Sequence, residues 1–407
     1  PNGFVVVWDS YEQINQGYEV YAQQYDHDGV KVGGEFRVNT YTQQSQSSAD
    51  VASTKNGYVI VWKSTQDGKE QQLYFQRYAL DGTAVGTETK VASQTYKKEH
   101  PHVASFSDGG FVIVWEAKEQ DSDSSDAIYG HLFASDGSRV GDQFRINTVT
   151  NNAQWVPDVI VLPNDKFVVT WMSKDQDNNI NDFGIIAKIF NSDASVATDE
   201  FVVNTKTLHD QTYPSLTSTD DKFLITWQDY LGAGGESTSW GVKGQLFSFD
   251  GSKLGDEFEV NTHQAHHQQF PASTTLSNSQ VVVTWSSTDQ DGSGIGIYAQ
   301  RFSIPVTSYS YGLANGTAGG YAIDASTRMT SGGFEKSSRN VVPALNTLGS
   351  APSTGVMNEF AATTASAAEL NVMVDADAQL DASMLNKLKD LTSTAAELNK
   401  ISTASSA

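Results

Sequence analysis

The chain writes one six-letter phrase six times: "GFVVVW" at Gly3 to Trp8, then "GYVIVW", "GFVIVW", "KFVVTW", "KFLITW" and "QVVVTW". The tryptophans that close the phrases, Trp8, Trp62, Trp115, Trp171, Trp227 and Trp285, lie 54, 53, 56, 56 and 58 residues apart. A fixed period of this length means that one supersecondary unit stacks on copies of itself, since one unit alone cannot bury its apolar surface. Other landmarks keep the same phase. Pro101, Pro157, Pro214 and Pro271 stand 13 or 14 residues before their tryptophans, and "VNT" or "INT" ends the unit at Thr40, Thr148, Thr205 and Thr262.

Each unit therefore has four segments: a "PHVAS" type, the "FVVVW" type, an "IYAQRF" type and "EFRVNT". In the second segment Phe4, Val6 and Trp8 share one face and Val5 and Val7 the other, which predicts a strand buried on both sides. The third segment runs into a hairpin signal, Asp28-Gly29, Asp81-Gly82, Asp136-Gly137 and Asp250-Gly251, because glycine accepts the positive φ of a tight turn. Unit four has Asp193-Ala194 there, which predicts a turn of different geometry.

Four short strands per period of about 50 residues predict an all-β fold, a β-propeller of four-stranded blades around a channel. Solenoid coils are shorter, at about 20 to 30 residues, and a sandwich array needs more strands per unit. Six blades are expected. Seven remain open, because unit one lacks its "PHVAS" segment and unit six its "EFRVNT" segment. The repeated Trp, Phe and Val are then core residues rather than a row of ligand contacts.

The organisation expected is a propeller over 1–302, a Ser/Gly/Thr/Ala-rich connector over 303–360, and a short-helix repeat tail over 361–407. In the tail, Ser366 with Glu369 and Thr394 with Glu397 spell capping boxes. Leu370, Leu385 and Leu398 are among apolar residues too few to form a core alone, so the tail is expected to assemble with itself or to dock on another structural protein.

Charge narrows the partners. With 26 Lys+Arg against 48 Asp+Glu, the net charge of −22 repels nucleic acid, and no apolar run approaches the 18 or so residues that cross a bilayer. The absence of cysteine removes disulfides, thiolate metal sites and cysteine nucleophiles.

Three loops after the tryptophans alternate oxygen side chains: Glu119, Asp121 and Asp123; Asp175, Asp177 and Asn179; Asp289, Asp291 and Ser293. Hard oxygens at such spacing suit calcium, although the later ligand positions of EF-hand and integrin-type loops are missing, and turn-forming solvated loops are the other reading. His263, His266 and His267 offer imidazoles to zinc without an evident fourth ligand. Tyr230 and Trp240 are candidate binding aromatics, Trp240 because it lies outside the repeated set. No nucleophile elbow, phosphate loop or metalloprotease motif is present.

Two resemblances follow from these motifs. The "GFVVVW", "DG", "YAQRF" and "EF.VNT" series resembles repeats of large secreted and surface-attached bacterial proteins, and "TAAELN" resembles repeats of bacteriophage tail fibres. Together they imply a non-enzymatic structural and binding protein, extracellular on a virion or bacterial surface, meeting a cell-surface glycan or protein receptor. The alternative is a secreted calcium-dependent adhesin.

Overall fold

The computed structural model describes residues 3–304 except 12–16, 67, 69–70, 94–95, 119–124, 178–181, 231–238 and 277–279. The connector and tail, with Leu370, Leu385 and Leu398, lie outside the described residues, as do Glu119, Asp121, Asp123 and Asn179.

The described chain is a six-bladed propeller made wholly of antiparallel strands. Blade one holds β1 (Gly3–Tyr11), β2 (Tyr18–Asp26) and β3 (Lys31–Arg37). Blade two holds β4 (Gln46–Thr54), β5 (Gly57–Ser64), β6 (Gln72–Ala79) and β7 (Ala84–Lys90). Blade three holds β8 (Lys98–Ser105), β9 (Phe111–Ala117), β10 (Ala127–Phe133) and β11 (Arg139–Arg145). Blade four holds β12 (Gln154–Val161), β13 (Phe167–Lys174), β14 (Phe183–Phe190) and β15 (Val196–Val202). Blade five holds β16 (Gln211–Ser218), β17 (Lys222–Tyr230), β18 (Trp240–Ser248) and β19 (Lys253–Glu259), and blade six β20 (Gln268–Thr275), β21 (Gln280–Thr288) and β22 (Ile295–Ser303).

The tryptophan strand is second in each complete blade, and its tryptophan points at the preceding blade. Trp171 packs with Val112, Val114 and Ile128 of blade three, and Trp227 with Val168, Ile185 and Ala187 of blade four. Trp62, Trp115, Trp171 and Trp227 are fully buried. This burial on both faces fails at the ends. In blade one Phe4 and Val6 are exposed, because among the described residues nothing packs behind them. In blade six Ile297 is 77% exposed, whereas its equivalents Val20, Leu73, Ile128, Ile185 and Val242 are all 0%.

The remaining repeated letters are joinery. β10 and its equivalents carry a bulge against the fourth strand, and a glutamine side chain satisfies the carbonyls that the bulge frees. Thus Gln245 Nε2 donates to the Leu246, Leu254 and Gly255 carbonyls, and Gln76 and Gln23 do the same in their blades. The asparagine of "VNT" accepts the amide of the third strand through Oδ1: Val20 with Asn39, Ile128 with Asn147, Ile185 with Asn204 and Val242 with Asn261. The following threonine amide donates to a glutamate of the next blade, Thr40 to Glu88 and Thr205 to Glu257. Unit two has Ala92 in place of the asparagine, and Lys98 Nζ, which donates to Gln72 Oε1 and the Tyr96 carbonyl, fills the gap.

The Asp193-Ala194 turn corrects the expectation of a different geometry. Ala194 adopts φ 64°, and the turn closes with the same bonds as its glycine counterparts: Ala194 N donates to the Asn191 carbonyl and Ser195 N to Asp193 Oδ1. The hairpin register overrides the local preference of alanine.

Candidate functional site

The first strands β4, β8, β12, β16 and β20 neighbour one another in series and form the inner wall. Each has a bulge near its start, with a residue at positive φ: Ser48, His100, Val156, Tyr213 and Phe270, at 46 to 56°. In four of them the next residue is the landmark proline, which suits a bulge because it has no amide to place in the ladder. The residue after that, opposite the position before each tryptophan, is Asp50, His102, Asp158, Ser215 or Ala272.

This position staples the blades. Asp50 Oδ2 accepts the Val103 amide at 2.8 Å, Asp158 Oδ2 the Leu216 amide at 2.7 Å, and Ser215 Oγ the Ser273 amide at 3.0 Å. His102 interrupts the series, and Asp158 Oδ1 instead accepts its neighbour Val159's amide at 2.7 Å. The imidazole sits between carboxylates, its Nδ1 3.5 Å from both Asp50 Oδ2 and Asp158 Oδ1. The two oxygens are therefore within about 7 Å of one another, inside the range of paired carboxylates in glycosidases, about 5 to 9.5 Å. The three side chains are partly open to solvent, at 36% for His102, 31% for Asp50 and 19% for Asp158.

Burial works to lower the His102 pKa, and the hydrogen bond and charge of Asp50, with the charge of Asp158, outweigh it and push the group up to about 9. The imidazole is a cation at neutral pH. Burial raises the Asp158 carboxyl, against the opposing charge of His102. Sequence reasoning missed all three residues. They lie on three blades, 52 and 56 positions apart, and the only signal is that the residue after each landmark proline varies.

The acidic loops of the sequence reading are held by their own surroundings. Asp175 Oδ2 accepts from Asn152 Nδ2, while buried Asp177 accepts from Asn204 Nδ2, so the two carboxylates serve different asparagines. Asp289 Oδ1 accepts the Gly294 amide and Asp291 Oδ1 the Ser293 amide, each closing its own turn. Among the described residues, the clusters of three possible metal ligands are Asp26, His27 and Asp28, and Glu99, His100 and Glu116; none of the proposed calcium or zinc residues is in either. Tyr230 and Trp240 do meet, as a cross-strand T-shaped pair with centroids 5.1 Å apart, with His209 edge-on to Tyr230 at 5.7 Å.

No family model matches this chain, and no curated protein matches it in sequence, so neither resemblance drawn from its repeats gains support there. Solved structures do match in fold. A protein of unknown function from Dyadobacter fermentans is similar at a TM-score of 0.50 and 8% identity, over 75% of this chain and 92% of that one. A thermostable family-43 glycoside hydrolase has a TM-score of 0.38 at 10% identity, over 62% and 88% of the two chains. An α-L-arabinofuranosidase from Lactobacillus brevis has 0.38 at 12%, over 62% and 90%. At such identities the likeness shows the fold alone. It nevertheless corrects the expectation of a non-enzymatic structural and binding protein: the similar propellers include enzymes, and the absence of a local catalytic motif does not set this chain apart from them. A site assembled from several blades leaves no contiguous motif to find.

Proposed function

We propose that the chain is a hydrolase of neutral glycans, working outside the cell, with its acid–base centre at Asp50, His102 and Asp158. The observation that carries this reading is the imidazolium held at 3.5 Å between two carboxylates on the inner wall. His102 Nδ1 faces the carboxylates, which leaves Nε2–H to protonate the leaving oxygen of a glycoside. Asp50 binds the Val103 amide and the imidazole through Oδ2, and its Oδ1 takes the proton from the attacking water. The glycosidic C–O bond breaks, water oxygen forms the new C–O bond, and the two transferred protons balance. Asp158 orients and charges the imidazole. The net charge of −22 favours a neutral polymer over a polyanionic one.

The test is reducing-sugar release from a panel of neutral polysaccharides by the natural chain, Asp50→Asn and His102→Gln. Asparagine at 50 still accepts the Val103 amide but cannot act as a base, so turnover should fall by about 10² to 10⁴ with the melting temperature little changed. A folded natural chain that releases nothing from the whole panel overturns the proposal. A second reading is favoured by the Ser215 bond to Ser273: the same position works as a staple without any titratable group. On that reading Asp50→Asn is silent in every assay.

A further inference from the structure

The inner-wall bulges are two-sided in character. In blades two to four the positive-φ residues are Ser48, His100 and Val156; in blades five and six they are Tyr213 and Phe270. Those two aromatics stand on adjacent blades with ring centroids 4.9 Å apart in a T-shaped pair. Tyr213 is 39% exposed and Phe270 54%, and neither belongs to any of the buried core clusters. A bulky residue at positive φ costs about 1 kcal/mol or more relative to glycine, yet none of the five positions is glycine. Three of the five side chains have a local role or are small: His100 bonds Glu116, Val156 packs on the blade-four core, and Ser48 is short. Packing gives no such role to Tyr213 and Phe270.

Their place is tied to the acid–base centre. Tyr213 lies three residues before Leu216, whose amide binds Asp158, and the Phe270 amide is fixed by Gln228 Oε1 at 3.1 Å. Each aromatic is two positions before the residue equivalent to His102, one pleat nearer the end of the ring that carries the loops after the tryptophans. We infer that Tyr213 and Phe270 form a stacking platform for a sugar ring at the mouth of the channel, the binding subsite next to Asp50, His102 and Asp158. The electron-rich face of an aromatic ring attracts the polarised C–H groups on a sugar's apolar face, and a neutral ligand meets no charge barrier in this acidic protein. The choice of a sugar rests on the proposed glycan hydrolase.

The experiment uses Asp50→Asn in the full chain, so that binding is read without turnover, with neutral hexasaccharides of glucose, xylose, mannose and arabinose titrated one at a time. Adding Tyr213→Ala and Phe270→Ala together should weaken the tightest by at least tenfold, while Phe270→Trp keeps it. In the active chain the same pair should raise KM tenfold with kcat nearly unchanged. Unchanged affinity or KM in the folded double variant overturns the platform even if the hydrolase reading stands. A chain that binds a hexasaccharide through these rings but hydrolyses none supports the platform and sinks the hydrolase reading. No binding to any hexasaccharide overturns the platform.

Discussion

Raising the pH should weaken this fold through one residue. His102 goes from the ordinary 6.5 to about 9 in the folded chain because Asp50 and Asp158 flank it. A folded-state pKa above the unfolded value means that the stabilisation is fully present below about 6.5 and is lost as pH rises through about 9. At 1.36 kcal/mol per pKa unit the ceiling is roughly 3.4 kcal/mol. The side chain is 36% exposed, so screening by solvent brings the expected effect to about 1 to 2 kcal/mol. Urea unfolding at pH 6 and pH 9.5 would measure it, with His102→Gln as the reference for every other group that titrates in this window. The natural chain should lose about 1 to 2 kcal/mol more than the variant. Equal losses would show that the flanking carboxylates do not hold a proton on His102, and the proton donor of the proposed mechanism would go with it.

Ala194→Gly should stabilise the chain by about 0.5 kcal/mol, since relief of φ 64° exceeds the added freedom of glycine in the unfolded state by about that much; a lower melting temperature would refute this. Gln245→Ala should cost about 2 to 3 kcal/mol in chemical denaturation, because it leaves the Leu246, Leu254 and Gly255 carbonyls of a buried bulge without their donor. A cost under about 0.5 kcal/mol would mean that water replaces the amide.

The fold was legible because the tryptophan phrase recurs at one period, and burial of Trp62 to Trp227 is what that recurrence requires. The role of the glutamine in "YAQRF" and the asparagine in "VNT" was not, although both letters repeat. Each acts on backbone groups of a different strand, so its meaning appears only once the register is known. The site was the least legible part. Asp50, His102 and Asp158 look like three variants of one repeated position, and only the curvature of the ring makes them neighbours. The acidic loops drew attention for the opposite reason: their residues are adjacent in sequence, yet Asp175 and Asp177 turn to different partners.

The uncovered faces at the two ends have a consequence for how such a protein can grow. The forward face at Ile297 and the backward face at Phe4 and Val6 are the two halves of a joint that the chain already makes five times over. A further copy of the unit, added at either end by duplication, would meet a surface already shaped to receive it. Blade number is then an inherited count of repeats, able to change by one without redesign of any existing joint.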